Sequence, residues 1–302
     1  RGCVALLWFL GVYVVVLAFV PALTQLNSGR AVVVVVVAVL LAALAIDRIR
    51  VAAGTPQAGI PNFLAVWLIP VVIGVAYARR LIGPAAALVF AAIAFSIQSV
   101  LALAGIYEVS LVVTGEERVS NVSPPTLLLA LHCTWMSLVF VAAAEPIRRW
   151  AARPRVWHIV AVGNSGAMTL YLWHIPAIAV ATLSLHAVGL DAFDVTAPGF
   201  WGVLALRAVV FAVVMAIAFV VLSPLEHQPL PWWDGPVRAT GVASTIAGTL
   251  MCLAGIALLL MAKNGLSGAA GWTALGCFVA AATAARTAAG GPVRQESASR
   301  IP

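Results

Sequence analysis

Runs of about twenty apolar residues recur along this chain with almost no charge inside them, and no other feature constrains its fold so tightly. VALLWFLGVYVVVLAFVPAL, residues 4–23, and VLALRAVVFAVVMAIAFVVL, residues 203–222, are two such runs. In hydrocarbon a segment must satisfy its own backbone N–H and C=O groups, so these runs read as helices long enough to cross a bilayer core of about 30 Å. Of the 302 residues, 63% are hydrophobic and only 9% charged, against about 25% charged in ordinary soluble domains. The mean hydropathy is +1.08. The chain is therefore expected to be an all-α, polytopic transmembrane helix bundle, with a lipid bilayer as its principal partner and a multi-pass place in the cell membrane.

Glycine, proline and charge punctuate the runs. Eight helices are expected, near 4–23, 31–46, 62–78, 84–105, 126–144, 166–188, 199–222 and 243–262, with a weaker ninth near 272–285. Residues 1–285 form one transmembrane domain, and the segment RTAAGGPVRQESASRIP from residue 286 reads as a disordered tail. The first run lacks the cleavage pattern of a signal peptide and is read as a true span. Because the chain opens on Arg1 and the run follows at once, a longer protein that has lost its first helices is expected.

The net charge of +7 comes mainly from arginines scattered between spans, which suits membrane topology and not nucleic-acid binding. Arg30, Arg79, Arg80, Arg148, Arg149, Arg153, Arg155 and Arg238 fall on one side; Arg1, Arg48, Arg50, Arg118 and Lys263 fall on the other. The richer side marks the cytoplasm, which places the start of the chain and the loop IYEVSLVVTGEERVS outside and favours nine spans over eight. Four cysteines stand singly without a C-x-x-C pair, so no disulfide framework and no metal site are expected.

Polar residues inside the spans carry the functional signal, because each must face a partner, a ligand or water. In NSGAMTLYLWHIP, residues 164–176, Asn164, Tyr171 and His174 fall at helical spacing on one stripe, and Pro176 frees the carbonyl of Leu172. Arg207 enters on the next span at a similar expected depth. His174 and Arg207 are the catalytic candidates, a neutral imidazole being a possible base beside a cation. Asn164 and Tyr171 are candidates for substrate binding. So are Arg148, Arg149, Arg153 and Arg155 of EPIRRWAARPRVW, whose planar guanidinium groups suit phosphate oxygens as well as headgroups. Ser96, Gln98 and Ser99 read as helix-packing groups. Gly163-Asn164-Ser165-Gly166 matches G-x-S-G of intramembrane serine proteases, but the following spans offer no histidine to activate the serine.

Taken together, NSGAMTLYLWHIPAI, EPIRRWAARPRVW, SNVSPPTL and LLWFLGVYVVVLAFVP resemble the C-terminal two-thirds of integral membrane acyltransferases of the acyltransferase-3 family, over roughly residues 5–225. The resemblance implies O-acyl transfer of an acetyl or short acyl group from acyl-coenzyme A to a hydroxyl of a sugar, glycolipid or cell-envelope acceptor. Acyl-coenzyme A would be the donor substrate, with no bound cofactor. The family's best-supported catalytic histidine lies in its first transmembrane helix, and no segment here matches that element. His174 corresponds instead to the histidine of a later tyrosine-leucine-histidine-proline element. On this reading the chain is an N-terminally truncated acyltransferase whose activity as it stands is a separate question. The competing reading is a multi-pass transporter or flippase of an envelope precursor, since buried Arg and His beside a kink can also line a pathway.

Overall fold

The computed structural model describes residues 7–109, 120–190, 196, 198–266 and 268–290. Among these the only β-type pairing is an isolated bridge between Val122 and Pro125; the remainder is helix and connection. The helices are α1 (Leu7–Leu17), α2 (Val20–Leu23), α3 (Gly29–Ala53), α4 (Asn62–Ala78), α5 (Pro84–Leu103), α6 (Leu127–Ala151), α7 (Pro154–Ser165), α8 (Ala167–Ala187), α9 (Phe200–Glu226), α10 (Val242–Asn264) and α11 (Ala269–Gly290). A 3₁₀ turn, Pro56–Gly59, leads into α4.

Among the described residues, seven segments are long and apolar enough to cross a membrane: α3, α4 with its preceding turn, α5, α6, α8, α9 and α10. The expected first span is divided. Pro21 lacks an N–H and clashes with the carbonyl four residues back, so α1 stops at Leu17 and a second short helix begins at Val20. The expected ninth helix is present as α11 and runs past residue 285 to Gly290; the tail beyond lies outside the described residues, as do Arg1, Arg118 and most of the acidic loop.

Two further boundaries differ from expectation. Helix α3 continues through the charged turn Asp47-Arg48-Ile49-Arg50 and ends only where Gly54 takes the left-handed conformation, φ 63°. Its start is capped by the Ser28 hydroxyl, which accepts from Ala31 N at 3.2 Å. The arginine-rich segment expected as a loop is also helical. It forms the last turn of α6, past Pro146, and then α7, with Arg153 at the cap and Pro154 in the first turn.

The core lies among α3 to α6, where Ala43, Val66, Ile69, Ile73, Ala87, Ala91, Ala94, Leu131 and Leu138 are buried together. Ala87, Ala91 and Ala94 recur at helical spacing, and such small side chains let helix backbones approach in lipid, where packing replaces the hydrophobic drive. Gln98 and Trp135 fasten α5 to α6: the indole N–H donates to Gln98 Oε1 at 2.7 Å, while Gln98 Nε2 lies 3.5 Å from His132 Nδ1. The expected packing role of Gln98 is met.

Helix α1 seats against α10 through bare backbone. A Cβ on Gly11 would lie 2.7 Å from the Gly255 carbonyl and 2.8 Å from Leu259 N, and one on Gly255 would lie 2.7 Å from the Gly11 carbonyl. The last hairpin is pinned elsewhere by Arg286, whose Nε donates to the Trp232 carbonyl at 2.7 Å, and by Arg238 and Ala239 N–H groups donating to the Ala289 carbonyl.

Gly255→Val should therefore force α1 off α10, destabilising the protein by about 1–3 kcal/mol, read as a lower Tm in detergent micelles. Gly248→Ala, on the same helix with open space around it, should leave Tm unchanged or raise it slightly.

Candidate functional site

The NSGAMTLYLWHIP stripe is interrupted in the structure. Gly166 ends α7 and begins α8, because Phe219 and Ser223 of α9 press against the space a side chain there would fill. Asn164 is consequently exposed at the end of α7, apart from Tyr171 and His174 on α8. Ser165 of the G-x-S-G match donates locally to the Val162 carbonyl at 2.7 Å.

His174 Nδ1 lies 2.5 Å from the Tyr171 carbonyl. A carbonyl only accepts, so Nδ1 carries the proton and Nε2 is the nitrogen free to accept one when the ring is neutral. The Tyr171 ring stands between His174, at 5.8 Å, and Phe9 of α1, at 5.1 Å. Beyond Phe9 the aromatic row continues through Trp8 to Trp67 of α4, whose indole N–H is buried without an acceptor. The half-buried imidazole thus looks onto an aromatic wall that runs across α1.

Arg207 has Nε and Nη2 sealed from solvent and without hydrogen-bond partners. Helices α8 and α9 form an antiparallel hairpin whose register is fixed at one end. There the Glu226 carboxylate accepts from both Thr169 N and Thr169 Oγ1, satisfying the first turn of α8 and placing an anion at its positive end. From the Gly166 to Phe219–Ser223 contact, His174 lies about 12 Å up the hairpin and Arg207 about 18–24 Å, at 1.5 Å per residue. The expected matching depth is not met. The two side chains share no hydrogen bond, because the register fixed by Gly166 and Glu226 sets them apart by about one to two helical turns.

The four arginines of the basic segment are all exposed. Arg148 Nε and Nη2 each donate to a Glu145 oxygen at 3.0 Å, and Arg149 Nε lies 3.8 Å from the same carboxylate. Glu145 therefore offsets part of that charge, while Arg153 and Arg155 at the start of α7 carry no ion pair among the described residues. No group of three or more metal-ligating side chains occurs among the described residues.

The most connected polar cluster was not anticipated. Asp47 and Arg50, expected at the edge of a loop, are only 4% and 7% exposed. Asp47 Oδ2 accepts from Leu127 N at 2.7 Å and from Tyr107 OH at 2.9 Å, and Oδ1 accepts from Asn62 Nδ2 at 3.0 Å. Asn62 Nδ2 also reaches the Pro125 carbonyl at 3.0 Å. Arg50 Nη1 donates to the Pro124 and Ser120 carbonyls at 3.2 and 3.3 Å, and Thr126 Oγ1 donates to Asn121 Oδ1 at 2.8 Å. Beside this network opens a cavity of about 710 Å³ lined by Asp47, Arg48, Arg50, Gly105, Tyr107 and Glu108, with Val51, Ala52 and Ile106 as apolar wall. The visible signal was an aspartate and an arginine three apart at the end of an otherwise apolar helix, together with the turn residues of SNVSPPT.

Burial, and then the neighbouring Asp47 carboxylate, push the Tyr107 phenol well above its ordinary value of 10.0. A raised phenol contributes its stabilisation fully below pH 10 and loses it as pH rises beyond that. Tyr107→Phe should thus destabilise by about 1.5–3 kcal/mol at neutral pH, the value of a hydrogen bond to a charged group. The gap to the parent, measured as Tm in micelles, should narrow above pH 10.

An acyltransferase domain model matches residues 2–223. No curated protein and no solved structure matches the chain. The matched span is close to three quarters of the 302 residues and takes in the Asp47 network, the basic segment, His174 and Arg207, leaving α10 and α11 outside it. With an all-helical bundle and seven helices fit to span a bilayer, the chain belongs to the acyltransferase-3 family of membrane acyltransferases.

Proposed function

We propose that the protein is a membrane-bound O-acyltransferase of the cell membrane that moves an acetyl or short acyl group from acyl-coenzyme A to a hydroxyl of a sugar, glycolipid or cell-envelope acceptor. The observation that carries this reading is the family match, which runs through every candidate residue.

In the reaction the acceptor oxygen attacks the thioester carbonyl. A carbon–oxygen bond forms, the carbon–sulfur bond breaks, and the proton leaving the hydroxyl ends on the departing thiol. His174 is assigned as the proton acceptor, through Nε2, since Nδ1 is held by the Tyr171 carbonyl. Tyr171 lies tilted against the same imidazole, ring centres 5.8 Å apart, and would hold it in place or border the substrate. Arg207, with two unpartnered donors in a desolvated site, is assigned to anchoring a polar or anionic part of a substrate at a different level from the imidazole, because the hairpin register separates them. Arg153 and Arg155 are the better candidates for the donor's phosphates, being without a carboxylate partner among the described residues; Arg148 and Arg149 share Glu145. Asn164 lies at the far end of α7 from those two, exposed and available to the same ligand.

Membranes carrying the protein should release free thiol from radiolabelled acyl-coenzyme A and form an ester in step with it. His174→Ala should lower that rate by about 10²-fold or more, the usual contribution of a positioned base, with Arg207→Ala raising KM. Unchanged incorporation in both variants rejects those assignments. Uptake of an intact precursor into vesicles without thiol release would favour the transporter reading instead.

A further inference from the structure

We infer that α7 is an interfacial helix that lies along the basic surface of the bilayer, its apolar stripe among acyl chains and the arginines around it on anionic lipid headgroups. The inference does not rest on the acyl-transfer reading.

Geometry confines α7 to that surface. Arg153 is extended, ψ 131°, because the proline after it excludes the helical region, so α6 cannot run straight on. The 12 residues of α7 span about 18 Å, too little to cross a core of about 30 Å. Its neighbours α6 and α8 are both membrane-length, so α7 begins and ends at one and the same face. There it stands apart from the bundle: no residue of it is buried, and a Cβ on Gly163 would meet nothing within 4 Å. Among the described residues no α7 side chain hydrogen-bonds to another helix; Ser165 bonds within its own turn.

The two sides of the helix differ. Val156, Ile159, Val160 and Gly163 recur at helical spacing as one stripe flanked by Trp157, whereas Arg155, His158 and Ser165 share the other side with Val162. Trp157 is 61%, Ile159 71% and Val160 41% exposed. A contiguous apolar patch of this kind marks a contact surface, and the bilayer is the apolar phase already at its level. Helices so patterned sink their apolar side about 5–10 Å into the boundary between headgroups and chains. Arg155 and His158 are then turned to water, where Arg155 stays open to a soluble donor.

Charge selects the lipid. From Glu145 to Ser165 stand four arginines, Arg148, Arg149, Arg153 and Arg155, against the one carboxylate of Glu145, a net of four minus one, +3. Glu226, which meets the first turn of α8, is engaged by Thr169. All four arginines are exposed. Trp150 and Trp157, each more than half exposed, bracket Arg153, and indoles beside cations settle at the membrane interface. Planar guanidinium groups suit phosphate oxygens, and basic clusters next to a span draw anionic lipid.

The test uses the full chain in vesicles of equal parts phosphatidylglycerol and phosphatidylcholine. A small fluorophore is attached to a single cysteine, His158→Cys, Ile159→Cys, Val160→Cys or Val162→Cys, after Cys3, Cys133, Cys252 and Cys277 are replaced by alanine. None of the four labelled positions is buried, so the label does not challenge the fold. Lipid brominated high on its acyl chains should quench at 159 and 160, and aqueous iodide at 158 and 162. Equal response to both quenchers at all four positions would place α7 clear of the bilayer. Shielding of 159 and 160 from both would mean that protein, such as a second copy, covers the stripe; either result overturns the inference. Bromine carried on phosphatidylglycerol should quench at 160 more than bromine on phosphatidylcholine. That preference, as a relative association constant at low salt, should fall by up to about fivefold for each of Arg149→Gln and Arg153→Gln. No preference in the parent, or one that survives both substitutions, would overturn the headgroup assignment.

Discussion

A carboxylate withdrawn from water has to be met by donors from the protein, and Asp47 is met by three. One of them, Leu127 N, is the first N–H of a membrane-length helix, a group with no partner inside that helix. The aspartate therefore caps α6, neutralises part of the positive end of its dipole, and draws in Asn62 from the start of α4 and Tyr107 from beyond the end of α5. Removing any one of these donors leaves a buried charge under-satisfied, which is more damaging than the loss of an ordinary surface contact. Four consecutive core helices thus take their relative height from a single side chain, and their apolar faces then pack at that height.

That arrangement separates what could be read from the sequence from what could not. Span positions were legible because length and apolarity are local properties, and the core helices Asn62–Ala78 and Pro84–Leu103 lie almost where expected. The role of Gln98 was legible too, since a lone amide in an apolar helix must find a neighbouring helix. Helix α7 was missed because its arginines and leading proline mimic a loop, although proline in a first turn is as much a start signal as a stop. The Asp47 cluster was missed for a different reason: its partners lie 15 to 80 residues away in sequence, and no local pattern pairs them.

The hairpin of α8 and α9 shows the same limit at the candidate catalytic residues. Type and identity were plain, an imidazole and a guanidinium inside apolar runs, but their relative height depended on register. Register is set by Gly166 receiving Phe219 and Ser223, and by Glu226 reaching Thr169. None of these contacts has a signature at the level of hydropathy. Depth counted from helix boundaries inherits the error of each boundary, and a single helical turn is enough to separate groups expected to meet.

The seat of α1 on α10 has a consequence of its own. Among the described residues, Leu7 and Leu10 of α1 pack on Leu258 and Met261 of α10, the Cys252 thiol lies 3.9 Å from the Val15 carbonyl, and between them glycine backbone meets glycine backbone. Dispersion falls away so steeply that a gap of about 0.5–1 Å forfeits a quarter to a half of each contact. Such a joint has no half-engaged state to rest in. Helices α1 and α10 behave as a snap fastening, either home along the full groove or detached from it, and any chain that lost the two glycines would lose the close fit between them.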